Sequence, residues 1–189
     1  MIDKEEMKQL EEWTTKKCSE LLFDSTVDNW SYNTSVFDSK LMNKSNLVFI
    51  VEDTDNNKFG YYFNGTLTNN GWFKCSGCFM FTLKANNRKS GMYKFEQKET
   101  SNGLCVSDKS HSWFLHIYAG FIMFKANSHE KQYIAEWTDY FDFHGMTNVY
   151  FANSTGTSHK YFTPKRITVV QMKDKKKFIF IVIDRQQFV

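Results

Sequence analysis

The chain has 189 residues but only one proline, Pro164, with nine glycines and four cysteines. Such sparse Pro and Gly excludes collagen-like, linker-rich or low-complexity architecture, and the length points to one domain. Four thiols are too few for a disulfide-dense scaffold. No apolar run approaches the ~20 residues of a spanning helix. Met1 to Glu12 is charged throughout and lacks the basic-then-apolar order of a signal peptide. The expected location is therefore the cytoplasm, with the nucleus second. In those compartments the Asn-x-Ser/Thr triplets at Asn29, Asn33, Asn43, Asn64 and Asn153 meet no glycosylation machinery. Neither sign of charge dominates: 24 Lys and Arg against 21 Asp and Glu leave +3, a mild bias toward polyanions.

Catalytic signatures are also missing. There is no G-x-G-x-x-G, G-x-x-x-x-G-K-[ST] or G-x-S-x-G, so dinucleotide, P-loop and α/β-hydrolase chemistry lack their backbone and nucleophile requirements. Asp53-x-Asp55-x-Asn57 begins like a calcium loop, but Lys58 stands where the sharp turn needs Gly and Asn64 where a bidentate Glu is needed. His111, His116, His129, His144 and His159 have no metal-ligand spacing. A strand through Trp113 to Leu115 would turn His111 and His116 to opposite sides. Glu136, Asp139 and Asp142 lie among aromatics, where loop packing with solvated acids is a better reading than an acid/base pair. No enzyme activity, cofactor or metal is expected.

Aromatics are abundant: nineteen Phe, nine Tyr and five Trp predict an aromatic-heavy core. Asp3 is a candidate N-cap for a helix running to Lys16 and Lys17, with Met7, Leu10 and Trp13 as its apolar stripe. A short helix is expected within Thr34 to Met42. Strand patterns follow at 21–24, 47–52, 59–64, 78–83, 92–96, 113–118, 121–125, 132–137, 148–152, 166–172 and 178–184. Ala119-Gly120 reads as a tight reversal with Gly relieving the backbone, and Lys173 to Lys177 as a charged turn. The fold class is mainly β (α+β): a two-layer antiparallel β-sandwich with short peripheral helices, residues 1–18 packing as a helix on a domain spanning 19–189.

Leu22-Phe23-Asp24-Ser25, Asp28-Asn29-Trp30-Ser31, Phe59-Gly60-Tyr61-Tyr62 and Cys78-Phe79-Met80-Phe81-Thr82-Leu83 follow one another in the order of the TLDc domain, which the chain resembles. The later half is looser: the family's Gly-rich segment is reduced to His144-Gly145-Met146, and its closing acidic strand to Ile167-Thr-Val-Val without the Glu or the Trp. The resemblance implies a β-sandwich with small helices, a link to the oxidative stress response, and a non-enzymatic protein-interaction role that for several members means binding V-ATPase.

Two groups of residues carry alternatives. Cys75 and Cys78 form a C-x-x-C pair, which serves as structural cysteines, half a zinc site or a redox couple. Lys160, Lys165, Arg166, Lys173, Lys175, Lys176 and Lys177, with Tyr161 and Phe162 interleaved, are what a phosphate backbone or an acidic protein surface would select. A nucleic-acid-binding regulator and a thiol-based redox protein are thus the rivals to a protein-binding module.

Overall fold

A computed structural model describes residues 2–85, 90–98, 102–135, 140–144 and 159–175. Among them are helices α1 (Lys4–Thr14) and α2 (Phe37–Leu41) and twelve strands: β1 (Lys16–Asp24), β2 (Ser45–Asp53), β3 (Asn57–Thr66), β4 (Gly71–Lys74), β5 (Phe79–Ala85), β6 (Tyr93–Glu96), β7 (Asn102–Val106), β8 (Trp113–Ile117), β9 (Phe121–Phe124), β10 (Tyr133–Ala135), β11 (His159–Tyr161) and β12 (Pro164–Asp174). They form two six-stranded antiparallel sheets, ordered β1-β12-β2-β3-β5-β6 and β11-β10-β9-β8-β7-β4. This is the expected sandwich with small helices. The expected strands at 148–152 and 178–184, and the acids Glu136 and Asp139, lie outside the described residues.

The inner faces meet in a core of phenylalanines. Phe59 on β3 packs edge-on against Phe121 of the second sheet and against Phe162, with centroids 5.6 and 5.2 Å apart. The unbroken apolar run in β2 is explained by burial on both faces: Leu47, Phe49 and Val51 join the core between the sheets, while Val48 and Ile50 join a second cluster beneath α1.

α1 is fixed by chemistry its sequence announces. Asp3 accepts from the Glu6 backbone at 2.9 Å and Glu6 returns the bond to Asp3, a full capping box. The same Glu6 carboxylate takes the buried Lys58 ammonium at 2.6 Å, tying the helix to β3. Leu10 and Trp13 then seat on the sheet, Trp13 against Phe79 and Phe81. The helix is shorter than expected. Thr15 turns left-handed (φ 58°), and Lys16 and Lys17 begin β1, pairing with Asp174 and Lys173.

Strands β4, β7 and β11 were not expected, being short and carrying Gly, Asn or Lys. The reversal after β8 also differs in detail: Ala119 holds the positive φ (55°), whereas a Cβ on Gly120 would lie 2.8 Å from Ile117 and from Met80. Gly120 is there for space. Gly60 is more constrained, since a Cβ would sit 1.9 Å from the Phe49 carbonyl oxygen and 2.6 Å from the Phe81 ring. Gly60→Ala is therefore expected to destabilise by ~1–3 kcal/mol, the usual cost of overpacking, read as a lower urea midpoint at unchanged slope.

A second prediction concerns acid. The Arg166 guanidinium donates from both Nε and Nη2 to Asp24, and Thr26 adds backbone and hydroxyl bonds. Together they hold the buried Asp24 carboxyl down to about 2. Unfolded, it titrates near ~4. The stabilisation, roughly 2 kcal/mol, is complete above that value and is lost as pH falls toward the folded one. Urea midpoints measured from pH 5 to 2 should fall less steeply for Asp24→Asn than for the parent.

Candidate functional site

The C-x-x-C pair lies in the crossover from β4 to β5, where the chain passes from the second sheet to the first. Cys75 and Cys78 are joined as a disulfide, with Cα atoms 5.8 Å apart, within the usual range. Both are buried in the core. Gly77 supplies the positive φ (71°) the loop needs, and Asn64 clamps it from β3: its backbone N–H donates to Cys78 Sγ and its Nδ2 to the Ser76 carbonyl, each at 3.1 Å. The two free thiols are poor nucleophiles. Burial pushes Cys105 up to about 11, and burial and then Glu11 push Cys18 up. Among the described residues no three His, Cys, Asp or Glu side chains could share a metal.

The basic residues do not come together. Arg166 is bound to Asp24 and Lys165 to Glu52 at 3.0 Å, both at the start of β12. Lys173 is at the other end, ~26 Å away at ~3.3 Å per residue, with Lys175 just beyond it. Phe162 is buried in the core, whereas Tyr161 is 57% exposed. Lys160 is on β11, and Lys176 and Lys177 lie outside the described residues.

A cleft of about 280 Å³ opens between α1 and the outer face of the first sheet, over Cys18, Ile50 and Val170. Its charged residues are neutralised in pairs, Lys58 by Glu6, Arg166 by Asp24, Glu52 by Lys165 and Glu20 by Lys44. It offers no free charge to a ligand.

The outer face of the second sheet is different. Register places Trp72, Cys105, His116, Ile122, Tyr133 and Tyr161 in one row across all six strands. Trp113 and Phe124 flank the row. Ring contacts knit it: Trp72 to His116 at 4.9 Å, Trp113 to His116 at 6.1 Å, Tyr133 to Tyr161 at 6.3 Å. The ladder shifts between Trp113 and Leu115, and His111 stacks on Trp113, so His111 and His116 adjoin the same ring rather than facing opposite sides. Burial lowers His116 to about 4, so it is neutral at physiological pH. A 240 Å³ hollow, bounded by His116, Tyr118, Ile122, Tyr133 and Ala135, indents the face.

The TLDc domain model matches residues 1–146. The chain belongs to the TLDc domain family. No curated protein matches it. In this TLDc domain the motif residues serve the fold: Phe59 fills the core, Gly60 lets β2 and Phe81 close on β3, Tyr61 hydroxyl bonds Gln97 at 2.8 Å, and Ser25 accepts from the Ile167 backbone. The aromatic row was not anticipated from sequence. Its signal was that, His116 apart, successive residues of Trp113–Tyr118 and Phe121–Phe124 are apolar or aromatic, which leaves both faces of those strands largely apolar.

A disulfide closing so short a loop is worth about 2 kcal/mol by loop-closure entropy. Cys75→Ser with Cys78→Ser is expected to lower oxidised-state stability by that amount, and a dithiol reductant should lower the parent's urea midpoint while leaving the variant's unchanged.

Proposed function

We propose that this TLDc domain is a non-enzymatic protein-interaction module of the oxidative stress response, docking through the aromatic outer face of its second sheet. Members of the family are commonly linked to oxidative stress. The observation that carries the reading is a row across this sheet face in which the described side chains other than His116 are aromatic or apolar and His116 is uncharged. Enrichment in Trp, Tyr and Phe with depletion of charge is the composition of an interface centre. V-ATPase is the candidate partner that family likeness supplies. Against catalysis stand the protonated free thiols and a cleft whose charges are already matched.

Capture from cells by the parent and by a Trp72→Ala, Tyr161→Ala variant, compared by quantitative mass spectrometry, tests the proposal. A stoichiometric partner, V-ATPase subunits first, should be recovered with the parent and fall at least tenfold with the variant. Equal recovery by both, or robust turnover of a metabolite by the pure protein, would overturn it.

A further inference from the structure

The aromatic row has a length and two charged ends, and these specify what it can hold. It crosses six strands, hence five inter-strand gaps of ~4.8 Å, or ~24 Å. Along the strands the outward-facing, half-buried side chains of β8 and β9 occupy only two or three positions, ~15 Å. The product is about half the ~800 Å² per partner of a standard interface, too little for a stable dimer formed by this face alone. A length of ~24 Å is that of an extended segment of about seven residues. The 240 Å³ hollow beside His116 and Tyr133 is below the ~300 Å³ of the smallest usual ligand pockets and suits one anchoring side chain.

The ends of the row carry cations. At the β4 edge, Lys74 is exposed two residues after Trp72. At the opposite edge, the Lys131 ammonium lies 5.7 Å from the Tyr161 ring centroid. Neither makes an ion pair with a described residue, so both ammonium groups are open to a ligand's carboxylates. Of the nearby acids, Asp108 is engaged by Ser110 and His111 within its own turn, and Glu130 precedes Lys131.

On the reading of this face as the docking surface, we infer that its occupant is an extended peptide segment of a partner protein, apolar or aromatic over about seven residues and acidic at both ends. The apolar stretch lies along Trp72, His116, Ile122, Tyr133 and Tyr161, one large side chain enters the hollow, and the terminal carboxylates meet Lys74 and Lys131. A single-stranded nucleic acid fits less well, because two cations at the ends leave the phosphates between them unneutralised.

Fluorescence polarisation tests this with three labelled probes: a peptide of seven alternating Phe, Leu and Val residues between Asp-Asp ends, its twin with Lys-Lys ends, and a twelve-nucleotide oligo-dT. The acidic-ended peptide should bind the parent at least tenfold more tightly than the twin. Trp72→Ala with Tyr161→Ala should weaken it tenfold or more, and Lys74→Glu with Lys131→Glu should reverse the preference between the peptides. All four side chains are exposed at the surface, and unchanged circular dichroism and urea midpoints would show that the variants fold. The inference is overturned by no binding of the acidic-ended peptide, by no preference between the twins, by tighter binding of the oligonucleotide, or by self-association that Trp72→Ala abolishes. Loss of the cellular partner on Trp72→Ala, Tyr161→Ala but full retention on Lys74→Glu, Lys131→Glu would leave the interaction module standing and overturn the acidic-ended segment.

Discussion

Strand β12 is the constraint on which the first sheet depends. It is hydrogen-bonded on both sides, to β1 and to β2, although some 140 residues of chain separate it from β1. Among the described residues β1 is at the edge of the sheet and pairs only with β12. Without β12, then, β1 would have no partner among the described strands, and the loop from Asp24 to Ser31 would lose Arg166 and the Ile167 backbone that hold it. Bringing such distant segments together costs loop-closure entropy before any contact repays it, so closure of this sheet is expected to be a late and slow event in folding. The Asp24 and Arg166 pair is the electrostatic lock on that closure.

Much of the architecture was legible because burial imposes a period. β2, β3 and β5 read clearly from their β-branched and aromatic runs, and the capping box of α1 from Asp3 and Glu6. Other features depend on tertiary contacts that no local pattern encodes. Lys16 and Lys17 look like favourable helix-terminal cations, yet the strand ladder opposite Asp174 and Lys173 outcompetes the helix dipole. A register shift between Trp113 and Leu115 breaks the strict alternation on which the placing of His111 and His116 rested. The basic cluster is compact in sequence, but the eleven residues of β12 carry its two halves to opposite ends of one strand.

The two sheets differ in how their outer faces are finished. On the first, α1 covers the apolar surface with Leu10 and Trp13, and the flanking charges cancel in pairs. On the second, no described helix or strand covers the aromatic row. A large exposed apolar face is ordinarily an aggregation hazard or an interaction site. Lys74 and Lys131 at the ends of the row bear on the first of these, since charge at the ends of an apolar stripe opposes uncontrolled stacking.

His116 shows how that face keeps its character. It lies mid-row between Trp72 and Trp113, where an imidazolium would place a charge among rings and invite water. Burial there lowers its pKa to about 4, so the row stays uncharged throughout the physiological range. Cys105, its neighbour on β7, is likewise kept as a neutral thiol by burial. Cys105 and His116 are therefore both neutral for the same reason, their burial in the row. The surface that the row's aromatics present is thus set by the same contacts that hold the sheet's outer face in order.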